Sequence, residues 1–129
     1  RSPLIRIPAA RGASTRVELR CPDPAANPYL TMAVCLAAGL EGIKNKMKVS
    51  HSIDCNIFDL SEQEIKERGI QAIPTTLTKA LDAFMEDDFV KGVVGEHVSS
   101  KYIEAKSDEW NRYRNQVTEW EIGEYLYKI

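Results

Sequence analysis

The chain has 129 residues, 43% hydrophobic and 28% charged, with a formal net charge of −2. That is enough for one modest domain and too few for two, with the composition of an ordinary globular protein rather than a disordered one. The longest apolar run, residues 32–40, contains Gly39 and is too short to span a bilayer, so no membrane association is expected. The chain opens on Arg1 without an initiator methionine or a signal-peptide pattern, and reads as a piece of a longer protein. Cys21, Cys35 and Cys55 show no C-x-x-C or Cys/His spacing, which suits reduced thiols in a cytoplasmic protein.

Charge is unevenly placed. Residues 1–20 carry five arginines, Arg1, Arg6, Arg11, Arg16 and Arg20, no lysine, and a single acid, Glu18, for a net +4. Residues 21–129 hold the other 12 basic and 18 acidic residues, for a net −6. With the basic residues concentrated in one segment and an acidic body behind it, a nucleic-acid partner is not expected. A planar guanidinium fork suits carboxylate and phosphate oxygens; the alternative is a solvated rim of scattered ion pairs.

In chain order, residues 4–7 and 16–20 are short, rich in β-branched residues and bounded by proline or by Gly12-Ala13-Ser14, so they predict two strands joined by a loop. Period two puts Arg16, Glu18 and Arg20 on one face and Val17 and Leu19 on the other. Two prolines then hold off regular structure until Asn27-Pro28, an N-cap followed by a favourable first helical residue. The helix from there to about Lys46 is rich in Ala and Leu, with little polar surface before Glu41, and is expected to be buried on most sides.

A polar connection, 48–60, follows. A second helix starts at Ser61, with Glu64 completing a capping box, and stops at Gly69. A third begins near Thr76, with Leu77, Ala80, Leu81, Phe84 and Met85 in helical spacing. Asp87-Asp88 caps a short helix ended by Gly95. A long helix starts near Glu96, with Val98, Tyr102, Ala105, Trp110, Tyr113 and Val117 as its apolar stripe. Thr118 and Glu121 form another capping box, opening a terminal helix with Trp120, Ile122, Tyr125, Leu126 and Tyr127, then Ile129. So heavy an aromatic load at a chain end reads as an anchor, to another subunit or to its own domain.

No phosphate-cradling glycine loop, G-x-S-x-G or H-E-x-x-H motif is present. His51 and His97 lack partners at metal spacing. What remains is Glu18 among arginines. Neighbouring cations keep a carboxylate ionised, and an ionised carboxylate is a hard oxygen ligand for Mg²⁺ or Mn²⁺. Flanking arginines neutralise phosphate oxygens and clamp carboxylates, the combination phosphoryl transfer needs. One carboxylate does not hold an octahedral ion, so further ligands must lie outside this chain.

The segments R-S-P-L-I-R-I-P, R-V-E-L-R, P-D-P-A-A-N-P-Y-L and A-A-G-L-E-G-I-K-N-K resemble the C-terminal part of bacterial type I glutamine synthetase. The likeness continues through G-E-H-V, Y-I-E-A-K and Y-R-N-Q-V-T-E-W-E-I to the end. The resemblance implies a mainly α fold: the helical C-terminal region of an α+β catalytic domain. Residues 1–20 would be two strands of the active-site barrel and 21–129 a helical subdomain, with 118–129 as a tail for intersubunit contact. It implies ATP-dependent ligation of ammonia to glutamate through a glutamyl phosphate. By position, Glu18 matches a divalent-metal ligand and Arg20 a glutamate-binding arginine. Arg1 matches an arginine touching glutamate and the transferred phosphate, hence a catalytic one that also contacts ATP; Arg6 matches an ATP-phosphate contact, and Arg16 a further nucleotide contact.

A homo-oligomer, dodecameric in the family, is implied; a nitrogen-regulatory protein enters as a partner of the tail under the non-catalytic alternative below. The fragment alone is expected to be inactive, most metal ligands being outside it. Where some relatives carry an adenylylated tyrosine, this chain has Phe58, so that control is expected to be absent. Where relatives often read V-H-P-W, this chain has Val117-Thr118-Glu119-Trp120. Alternatives are a glutamate–amine ligase and a non-catalytic assembly or interaction module built around the tail.

Overall fold

The computed structural model describes residues 3–49 and 52–128. Arg1, His51 and Ile129, named above, lie outside the described residues. The chain is mainly helical, with one two-stranded antiparallel sheet, and divides into two compact units, 1–72 and 73–129.

In the first unit, β1 (Ile5–Arg6) pairs with β2 (Glu18–Leu19), Ile5 opposite Leu19 and Arg6 opposite Glu18. The strands are shorter than expected, though the pairing extends one bond further: the Arg20 N–H donates to the Leu4 carbonyl at 2.8 Å. A 3₁₀ turn, Gly12–Ser14, lies in the connecting loop. Next comes α1 (Pro28–Lys44), where the Asn27 side chain accepts from the N–H groups of Tyr29 and Leu30, as the Asn-Pro start predicts.

α1 ends two residues before the expected limit, and the reason is visible in the backbone. Lys46 takes a left-handed φ of 51°, its N–H donates to Ile43, and the Met47 N–H reaches back to Gly42. This is a Schellman stop with lysine where glycine is usual. Gly69 (φ 63°) provides the same stop for α2 (Glu62–Glu67), with Ile70 bonded back to Ile65. At the start of α2, the Ser61 backbone N–H and hydroxyl both donate to Glu64 and hold its carboxyl below the usual range.

The burial expected of α1 is not found. Tyr29, Met32, Leu36, Leu40 and Ile43 are all exposed, Ile43 to 76%. The helix is apolar, but burial needs a second layer, and the described residues provide none over this face.

In the second unit, α3 (Leu77–Glu86), α4 (Asp88–Val94) and α5 (Glu96–Arg114) pack pairwise against one another. Thr76 and Asp87 cap α3 and α4 through bonds from Lys79 and Val90. Leu81 is the buried apolar centre, and Phe84 meets Tyr102 edge to face at 5.9 Å.

The buried stripe of α5 is turned from the one expected. Ser99 is buried and Ile103, Lys106 and Trp110 are half-buried, whereas Val98, Tyr102 and Tyr113 are exposed. The cause is the approach of α4: the Ser99 hydroxyl lies 3.4 Å from the Lys91 carbonyl, a closeness only a small side chain permits. The capping box of Thr118 and Glu121 forms as predicted and opens α6 (Glu119–Glu121). The chain then widens into a π turn, Ile122–Leu126, rather than continuing as α-helix, and Trp120 meets Tyr125 edge to face at 5.9 Å.

Leu81→Ala is expected to destabilise the second unit by about 2–3 kcal/mol, while Leu36→Ala on the open face of α1 stays within ~0.5 kcal/mol. Urea unfolding of the 129-residue chain and both variants checks the contrast.

Candidate functional site

The hairpin gathers the charged residues of the N-terminal segment. Its register places Arg6 directly across from Glu18, and period two places Arg16 on the same face as Glu18, two residues earlier. Arg6 Nη1 donates to Glu18 Oε2 at 3.0 Å. Arg16 closes on the other oxygen, with Nε 2.9 Å and Nη2 2.7 Å from Oε1. Both oxygens of one carboxylate are therefore held by two guanidinium groups.

The loop between the strands sets this geometry. Arg16 Nη1 also donates to the Ser14 carbonyl at the end of the 3₁₀ turn, at 3.2 Å. Arg11, which charge reading alone would place with the site, is instead a brace for the loop. Its Nη1 donates to the Pro8 carbonyl at 2.6 Å and the Ala10 carbonyl at 3.0 Å. The signal for the brace in the sequence is slight, an arginine beside the loop's glycine and proline.

Hydrogen bonds from Arg16, then from Arg6, hold the Glu18 carboxyl below the usual carboxylate range, and the charges of both arginines act in the same sense. The guanidiniums are about half exposed, while the Glu18 side chain is 27% exposed. The triplet thus sits at the surface, with Nε, Nη1 and Nη2 of Arg16 all engaged by Glu18 and Ser14.

Of the five residues singled out from the sequence, the structure brings together Arg6, Arg16 and Glu18. Arg20 enters the hairpin through its backbone, and its side chain is not among the partners of Glu18. Arg1 lies outside the described residues.

Tested as a metal site, this donor set is partial. Glu18 is ionised and supplies hard oxygens, the chemistry a divalent ion takes. No group of three His, Cys, Asp or Glu side chains able to hold an ion occurs among the described residues. Glu18 fits one position of a coordination sphere, and the rest must come from elsewhere. The arginines fit phosphate or carboxylate oxygens without further partners.

Among the described residues no other constellation competes with the triplet. A groove between α4 and α5 is lined by Lys91, Gly92, Glu96, Ser99 and Ile103, but Lys91 is engaged with Asp88 at 2.8 Å and the Met85 carbonyl at 2.7 Å. His97 belongs to no metal-binding group among the described residues. No helix there is long and apolar enough to cross a membrane.

A surface carboxylate held by two arginines on a short hairpin precedes a helical body, and comparisons with known proteins give the family. The family model for the glutamine synthetase catalytic domain matches residues 1–125. The glutamine synthetase of Methanosarcina mazei is 54% identical over 126 residues, and that of Clostridium saccharobutylicum 49% over 128. The solved structure of apo GmaS without ligand superposes on 95% of this chain at a TM-score of 0.73, with 34% identity. The chain belongs to the glutamine synthetase family. It spans 28–29% of the length of those two synthetases and 27% of GmaS. Enzymes of this family use ATP and a divalent metal in general.

Glu18 is expected to titrate below the ordinary 4.5 for glutamate. The sign follows: a depressed pKa stabilises the fold above the unfolded value, and that contribution is lost as pH falls through the folded one. The hairpin should therefore hold as pH drops to the ordinary glutamate range and loosen only below it. A ¹³C NMR titration of the Glu18 carboxyl checks this. Arg16→Gln should return the midpoint towards 4.5 by more than Arg6→Gln, since Arg16 is the larger cause.

Proposed function

We propose that this chain is the C-terminal part of the catalytic domain of a glutamine synthetase. The complete protein joins ammonia to glutamate at the expense of ATP. ATP phosphorylates the side-chain carboxylate of glutamate, and ammonia displaces phosphate from the resulting acyl phosphate. The observation that carries this reading is the Arg6–Glu18–Arg16 triplet, in a chain half identical to glutamine synthetases over nearly its whole length.

Each residue takes a role its chemistry suits. Glu18 would supply one oxygen to Mg²⁺ or Mn²⁺, whose chemistry there would be to offset charge on the phosphoryl oxygens. Arg6 and Arg16 bind phosphate oxygens of ATP, Arg16 with a fork already shown able to grip one oxygen through two nitrogens. Arg20 binds the substrate glutamate. Arg1 touches glutamate and the phosphoryl group in transfer, where charge in the transition state is greatest. The remaining ligands come from the rest of the complete protein, so this chain alone is catalytically silent.

The protein is cytoplasmic and works as a homo-oligomer. Its terminal segment supports that reading, since Trp120, Tyr125, Leu126 and Tyr127 are all exposed, Tyr127 to 81%, a load suited to burial against another copy. The open apolar face of α1 is covered by the remainder of the catalytic domain.

Two outcomes test the proposal. Glu18→Ala in the complete protein should cut metal-dependent glutamine formation by at least ~100-fold, as removal of a group holding a catalytic ion does. Normal activity with normal metal dependence contradicts the ligand role. Removing residues 118–129 should shift the complete protein to smaller assemblies in analytical ultracentrifugation, and an unchanged assembly contradicts the anchor role.

A further inference from the structure

One nitrogen of Arg11 ties down the loop between the two strands. Residues 7–17 leave β1 and return to β2 by way of Pro8, which is buried, and the turn Gly12–Ser14. Arg11 folds back over the exit from β1, and its Nη1 bonds the Pro8 carbonyl at 2.6 Å and the Ala10 carbonyl at 3.0 Å. A charged donor makes a stronger bond to a carbonyl than a neutral one. Among the described residues Arg11 pairs with no carboxylate, so its cation is given to the backbone.

The tie continues beyond Arg11. Gly12 takes a left-handed φ of 69°, which glycine adopts freely and a residue with a Cβ only at a cost. The Thr15 N–H donates to the Gly12 carbonyl at 3.1 Å and closes the turn. The turn ends on Ser14, whose carbonyl accepts from Arg16 Nη1 at 3.2 Å. An unbroken run of contacts thus leads from Pro8 and Arg11, through the turn, to the guanidinium of Arg16.

We propose that Arg11 is a positioning residue for nucleotide binding: it pins the exit from β1, fixes the Ser14 carbonyl, and through that carbonyl sets where Arg16 is held. This rests on the reading of Arg16 as a nucleotide contact. An arginine stem left free spreads its fork over many rotamers, and ordering it on binding costs affinity. An anchor on a fixed carbonyl removes part of that cost beforehand. The effect is local to one arm of the site. Arg20 joins the hairpin through the Leu4 carbonyl, on the far side of the strand pair from the loop, and shares no bond with the brace.

Steady-state kinetics of the complete protein, with ATP and glutamate varied in turn, test the role. Arg11→Gln should raise the KM for ATP about three- to tenfold, the scale of ordering one long side chain. The KM for glutamate and kcat should stay within about twofold of wild type, the pattern of lost binding without lost chemistry. Gly12→Ala strains the same turn without changing charge, and should move the KM for ATP in the same sense. Added to Arg16→Gln, Arg11→Gln should change the KM for ATP little further, because residues that act through one another do not add. The positioning role is wrong, while the nucleotide role of Arg16 stands, if Arg11→Gln leaves the KM for ATP unchanged, raises both KM values alike, or adds in full to Arg16→Gln. It is equally wrong if Gly12→Ala has no effect on the KM for ATP. If Arg16→Gln itself leaves that KM unchanged, the nucleotide role of Arg16 fails and the role of Arg11 with it.

Discussion

One carboxylate held by two guanidiniums organises the functional end of this chain. Glu18 is the only acid among the first twenty residues, and five arginines surround it in sequence. Two of them bond to it, one across the strand pair and one along the strand. The sheet itself is two residues per strand, too short to be stable through backbone bonds alone. Side-chain pairing across the register therefore matters more here than in a larger sheet. The same contact ties the two strands together and keeps the carboxylate charged.

The helices fall in two units of different character. The second unit has its own small core, with Leu81 buried and Phe84 against Tyr102. The first unit leaves a whole apolar face of α1 open. Large exposed apolar faces on soluble proteins are interaction surfaces, and this chain spans under a third of its synthetase relatives.

What could be read from the sequence was local. Asn27, Ser61, Thr76, Asp87 and Thr118 all cap helices as their spacing predicts, because an N-cap bond spans only two or three residues. Gly69 ends α2 for an equally local reason. The plus-minus-plus row of Arg16, Glu18 and Arg20 was legible from period two. Which arginines grip Glu18 was not: Arg6 does so because the loop sets the strand register, and Arg20 does not. The turned stripe of α5 depends on Ser99 admitting α4, a contact between elements that periodicity within one helix does not encode. The widening at Ile122–Leu126 likewise has no signal in the capping box just before it. The family resemblance assigned roles that charge and spacing alone left open.

The central claim is that Glu18 is a metal ligand whose arginine partners serve phosphate. A structure of the complete protein with Mn²⁺ and a non-hydrolysable ATP analogue, with anomalous scattering recorded at the manganese edge, tests it most directly. The account predicts a manganese peak within roughly 2.0–2.2 Å of a Glu18 oxygen, with Arg6 and Arg16 turned onto phosphate oxygens. A filled manganese sphere that excludes Glu18, with its carboxylate still between the two arginines, would contradict it.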